Sequence, residues 1–213
     1  ASQKYEEAIY FDSRCTPAYL KYADIYKSAN AGLAIEKLNQ LKTLEPSNTA
    51  IDKKLAEIYY LKNDFSKAAD AYSRFAMGPT ANEEDLVKYA FALFLNHDFA
   101  KSLEVANMGL KKNPRHAAFN RLAMYNNTDL KRFEEALKAA DVFFNECDKA
   151  DYSYLDYMYY GHLLEELKKY DEAVGQYEKA VELDPTKTDL YKNISSVYEQ
   201  KNDYKKAIGA YHK

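Results

Sequence analysis

An all-α chain of repeated helix pairs is what this sequence predicts, and three observations predict it: composition, a helical spacing of apolar residues, and a longer period of 34. In 213 residues there are only 6 Gly and 5 Pro, too few for a sheet protein with many tight turns, while good helix formers abound. Hydrophobic residues make up 47% and charged residues 30%, enough apolar material to bury a core. The longer period shows in Phe65, Phe99 and Phe133, which lie 34 apart; Tyr170 follows after 37 and Tyr204 after 34 more. Three residues beyond each stands a small one, Ala68, Ser102, Ala136, Ala173 and Ala207. Four further stand Tyr72, Ala106, Ala140, Tyr177 and Tyr211, on the same helical face. These mark the second helix of each pair.

The first helices lie upstream, each with a stripe spaced i, i+3, i+4, i+7. The stripes are Tyr19, Tyr22, Ala23, Tyr26; Asp52, Leu55, Ala56, Tyr59; Leu86, Tyr89, Ala90, Leu93; Phe119, Leu122, Ala123, Asn126; Tyr157, Tyr160, Gly161, Leu164; and Tyr191, Ile194, Ser195, Tyr198. Their third members, Ala23, Ala56, Ala90, Ala123, Gly161 and Ser195, face Ala34, Ala68, Ser102, Ala136, Ala173 and Ala207 on the second helices. All twelve are small, although Ala, Gly and Ser supply only 45 of the 213 residues. Short side chains are what two helices need at a tight crossing. Pro46, Pro114 and Pro185 close three pairs, as Pro does just past a helix end. Asp52 and Asn126 fall at core positions, the 28–34 turn is one residue short, and the turn around Asn127 is one residue long.

This pattern resembles the tetratricopeptide repeat, a 34-residue helix-turn-helix unit, and the resemblance runs the length of the chain. Residues 154–187 carry it most clearly, through Tyr157, Tyr160, Gly161, Leu164, Ala173, Tyr177, Ala180 and Pro185. The Trp common in the family is replaced by Tyr, Phe or Leu. The resemblance implies one domain, a right-handed superhelix of stacked helix pairs. It would comprise a partial helix over 1–15, repeats over 16–48, 49–82, 83–116, 117–153 and 154–187, and a partial repeat over 188–213. In this register both ends fall within a second helix, so a fragment of a longer array is expected.

Chemistry is sparse. His97, His116, His162 and His212 fall in separate pairs, so no metal site is expected; His162 with Glu165 and Glu166 is the one ligand-like spacing, and it cannot close a site alone. Cys15 and Cys147 lie pairs apart and are expected as free thiols. No phosphate-binding Gly loop, nucleophile elbow or zinc-protease motif occurs, so neither catalysis nor a cofactor is expected. Five tyrosines between Tyr152 and Tyr160 include two on the core stripe. Both N-glycosylation patterns, Asn126-Asn127-Thr128 and Asn193-Ile194-Ser195, lie on first helices and are discounted. A net charge of -3 and a pI near 5.9 argue against nucleic acid as a partner, and no apolar run is long enough to insert in a membrane. The sequence sets no compartment.

In the family, the flank of the first helix lines the concave face. The resemblance places Lys53, Glu57 and Tyr60, then Val87, Phe91 and Phe94, then Asn120, Met124 and Asn127, then Met158, His162 and Glu165 on that flank, with more polar sets at either end (Leu20, Asp24, Lys27; Lys192, Ser196, Glu199). The central residues read as an apolar patch with charged surroundings; Phe94 has a competing assignment, packing on a neighbouring pair. Lys53 is followed by Glu57 where a terminal-carboxylate clamp would want Asn, which disfavours that mode. The implied function is non-enzymatic binding of a protein or peptide segment in the groove, with a scaffold or self-association role as the alternative.

Overall fold

The computed structural model describes residues 2–78, 80–147 and 151–212, and among these the only regular structure is helical. The chain divides into two compact units, residues 1–105 and 106–213. The first holds α1 (Ser2–Phe11), α2 (Thr16–Tyr26), α3 (Ala31–Leu44), α4 (Thr49–Leu61), α5 (Phe65–Phe75), α6 (Glu83–Leu95) and the start of α7 (Phe99–Lys112). The second holds the end of α7, then α8 (Ala117–Asp129), α9 (Phe133–Asp141) with a π-helical turn over Val142–Glu146, α10 (Tyr154–Glu166), α11 (Tyr170–Leu183), α12 (Asp189–Gln200) and α13 (Tyr204–Tyr211). Ala1 and Lys213, on which the register of the two ends turns, lie outside the described residues. Within each unit, consecutive helices pack as pairs and each pair stacks on the next: α2 with α3, α4 with α5, α5 against α6, α10 with α11, α11 against α12, α12 with α13.

All twelve small residues expected at crossings are buried, although on α8 the turn closure puts Met124, not Ala123, at the position of Ala90. Two of them are serines, and each satisfies its hydroxyl on the backbone of the residue it crosses. Ser102 Oγ donates to the Ala90 carbonyl at 2.8 Å, and Ser195 Oγ donates to the Ala207 carbonyl at 2.9 Å. A hydroxyl that finds an acceptor at the contact costs nothing in close approach, which is why Ser replaces Ala there.

Five turns inside the pairs share one construction. Asn63, His97, Lys131, Lys168 and Asn202 have positive φ, between 58° and 60°. The residue after each returns its N–H to the carbonyl five positions back: Asp64 to Tyr59, Asp98 to Leu93, Arg132 to Asn127, Lys169 to Leu164 and Asp203 to Tyr198, at 2.8–2.9 Å. This is the Schellman closure, which satisfies carbonyls the helix end would leave bare. In three turns that same residue then opens the next helix, since the Asp64, Asp98 and Asp203 carboxylates accept from Lys67, Lys101 and Lys206 N–H groups. The short turn before α3 lacks this closure; Asn30 caps α3 through Leu33 N–H at 3.1 Å.

Buried carboxylates, of which only Asp52 stood out in the sequence, join helices to one another. Asp52 takes Lys42 from α3 at 2.6 Å and Arg74 from α5 at 2.9 Å. Asp85 takes Lys53 at 2.8 Å while closing a capping box with Asn82. Asp156, which also caps α10 through Ser153, takes the Arg121 guanidinium at 2.7 and 3.0 Å and the Tyr125 hydroxyl at 2.6 Å. Each charge is paired and hydrogen-bonded, the condition under which burial is tolerated.

Two glycines differ in what surrounds them. A Cβ added at Gly109 would meet Phe119 Cε2 at 2.1 Å, whereas one added at Gly175 meets nothing within 4 Å. Gly109→Ala is therefore expected to lower stability by about 1–3 kcal/mol through overpacking against the fully buried Phe119 ring. Gly175→Ala, in the open interior of α11, is expected to raise it by about 0.5–1 kcal/mol. Urea denaturation of the two single variants checks both signs.

Candidate functional site

The flank residues divide into those that reach an open surface and those that do not. In the first unit Tyr60, Val87 and Phe91 are half-buried and, with Lys27, Glu57, Leu61, Tyr72 and Lys88, line a largely apolar cavity of about 400 Å³. Tyr60 stands in the last turn of α4, while Val87 and Phe91 stand one helical turn apart on α6, so their side chains converge from adjacent pairs. Tyr60 packs edge-on against Phe65 with ring centroids 5.5 Å apart. Burial pushes its hydroxyl above the ordinary tyrosine range, so it stays a neutral donor. Lys54 bridges Glu57 and Asp24 at 2.9 Å each, which fixes the polar edge beside the cavity.

Two first-unit residues of the expected groove are occupied otherwise. Lys53 is held by Asp85 and lies 4.9 Å over the Phe75 ring. Phe94 tilts against Phe99 with centroids 5.7 Å apart, on the second helix of its own pair.

In the second unit Met158, His162 and Glu165 line a smaller, more polar cavity of about 280 Å³ with Asp129, Tyr159, Tyr177, Asn193 and Ser196. The Tyr177 hydroxyl donates to Glu165 at 2.9 Å and the Tyr159 hydroxyl to Asp129 at 3.1 Å. Burial, and then the adjacent carboxylates, push both hydroxyls well up, so both remain protonated donors. Gln200 donates to the other Glu165 oxygen. Glu165 is thereby fixed, and His162 is the exposed member.

Asn120, Met124 and Asn127 do not line an open face: all three are buried, Met124 completely. Asn120 Nδ2 donates to the Pro114 and His116 carbonyls at 2.9 and 3.2 Å, clamping the turn that opens α8. The reason is register: Arg132 N–H closes on the Asn127 carbonyl as Asp98 N–H closes on that of Leu93, so the turn is no longer than the others. Asn120, Ala123, Met124 and Asn127 therefore stand on the core stripe where α6 has Leu86, Tyr89, Ala90 and Leu93, with Phe119, Leu122, Tyr125, Asn126 and Thr128 buried as well. The pattern after Asn126 also loses its hydroxyl, since Thr128 donates to the Met124 carbonyl at 2.8 Å. The signal that finds this is the 34-residue step itself, which leads from Leu86, Tyr89, Ala90 and Leu93 to Asn120, Ala123, Met124 and Asn127.

Residues 154–187 match the tetratricopeptide repeat family model. No protein with a curated description matches the chain. Among solved structures, a tetratricopeptide repeat protein from Parabacteroides merdae ATCC 43184 aligns with a TM-score of 0.72 at 19% identity, covering 98% of this chain and 77% of that one. YrrB, described as a TPR protein with an unusual peptide-binding site, aligns at 0.70 and 15% identity, covering 89% and 97%. A MamA fragment from Desulfovibrio magneticus RS-1 aligns at 0.66 and 17%, covering 77% and 91%. At such identities the likeness is one of fold. Proteins of this repeat generally mediate protein–protein interaction and generally are not enzymes. Among the described residues no helix is long and apolar enough to cross a membrane.

Met124→Arg is expected to destabilise the chain by about 3 kcal/mol or more, because it puts a charge where no solvent reaches. His162→Arg, at an exposed cavity wall, is expected to stay within about 0.5 kcal/mol of the parent. Thermal unfolding followed by circular dichroism separates the two.

Proposed function

For a chain of tetratricopeptide-type helix pairs, we propose non-enzymatic binding of a polypeptide segment on the first-unit face formed by Glu57, Tyr60, Val87 and Phe91. The observation that carries this reading is the cavity itself: about 400 Å³, chiefly apolar, open to solvent, and large enough for one bulky side chain. A partner segment seats an aliphatic or aromatic residue between Tyr60, Val87 and Phe91. Its backbone or polar neighbours meet Lys27, Lys88 and Glu57 at the rim. On the second-unit face His162 contributes a polar contact beside the apolar Met158, with Glu165 held by Tyr177 and Gln200. Asn120, Met124 and Asn127 have no part in recognition, and Lys53 acts through its ion pair with Asp85.

A random peptide display library panned against the protein tests the reading. Enriched peptides are expected to share one bulky apolar residue and to bind a Phe91→Arg variant of unchanged helical content at least about tenfold more weakly, the loss of one buried anchor. Equal binding to parent and variant would move recognition elsewhere on the chain.

A further inference from the structure

The break in the repeat period builds something. The 37-residue step between Phe133 and Tyr170 is taken up after α9 by the π-helical turn Val142–Glu146 and the connection to α10. Single π turns recur at functional positions, and this one displays aromatic rings. Phe144 lies 5.1–5.3 Å from the rings of Tyr152, Tyr157 and Tyr160. Asp151 and Tyr152 are held in place: Arg121 Nη2 donates to the Asp151 carbonyl at 2.7 Å, and the Tyr152 hydroxyl donates to the Phe144 carbonyl at 3.2 Å. Beside these rings opens a cavity of about 440 Å³ lined by Asp151, Tyr152, Tyr157, Lys179, Glu182 and Leu183. It shares no lining residue with the two cavities described above.

Its chemistry favours a cation. The carboxylates of Asp151 and Glu182 are both solvent-exposed, and no cationic partner is found for either among the described residues. Glu182 and Leu183 end α11, so the negative end of that helix faces the same space. The aromatic surface here already holds cations of the chain itself: Lys179 lies 5.6 Å over Tyr157, Lys187 5.0 Å over Tyr154, and Arg121 5.1 Å over Phe143. Tyr152, over a third exposed, is the cavity ring with no such cation among the described residues.

We infer that this cavity is a second recognition site, one that takes an arginine side chain of a partner polypeptide, its guanidinium stacked on Tyr152 and bonded to Asp151 and Glu182. A planar guanidinium fits because it can lie on a ring face and present several N–H groups to two carboxylates at once. The site is independent of the first-unit cavity, so either can fail without the other.

The probe is N-acetyl-arginine methylamide, with the neutral isostere N-acetyl-citrulline methylamide as control, titrated into the isotopically labelled protein and followed by amide chemical shifts. The arginine probe is expected to give saturable shifts confined to residues 151–157 and 179–183, and the citrulline probe none. Glu182→Gln, an exposed change that leaves the fold intact, is expected to weaken the arginine probe roughly tenfold. Absence of saturable shifts, equal shifts with citrulline, or unchanged affinity in Glu182→Gln would each overturn the assignment.

Discussion

Close approach of two helices at a pair of small residues is the constraint from which the rest of the structure follows. Ala56 and Ala68 are fully buried at their crossing, and at Gly161 the Tyr177 ring closes to within 2.8 Å of where a Cβ would stand, so larger residues close over the small ones. The serine crossings obey the same rule in two orientations, the hydroxyl coming from the second helix at Ser102 and from the first at Ser195. Backbone proximity, not a particular residue, is what each crossing fixes.

Turn geometry then sets the angle at which the pair leaves the crossing. A left-handed residue followed by a residue that ends one helix and starts the next leaves little conformational freedom between them. Asn occupies the left-handed position in two of five turns, as its tolerance of that region predicts, but Lys and His occupy the others. Those three bear a local strain that the surrounding hydrogen bonds outweigh.

Much of this was legible in the sequence because it is periodic. Small residues at a fixed offset, a 34-residue step and Pro past the helix ends are independent signals that agree, so helix pairing and crossings could be read residue by residue. The candidate site was less legible, because which flank is open depends on what stacks against it. Tyr60, Val87 and Phe91 border a cavity, whereas Asn120 and Met124 belong to the core stripe of α8, one residue away from the stripe that the small residue Ala123 suggested. The 34-residue step from α6 leads to the observed stripe, but the small residue at Ala123 and the apolar Phe119 and Leu122 argue for the neighbouring register. Asp85 and Asp156 escaped notice for a related reason: a carboxylate in a first turn reads as a cap, and its second role depends on a cation from another helix.

The bond between Arg121 and Asp156 has a mechanical meaning. Within the second unit most contacts join neighbouring helices, so tension on the chain ends should peel helix pairs one after another, each giving up a short length of slack. The bidentate grip of Arg121 on Asp156, with Tyr125 and the Asp151 carbonyl beside it, ties α8 directly to α10. Pulling on that tie loads it in shear, so α8 and α10 resist extension together where helices joined by apolar packing alone would peel.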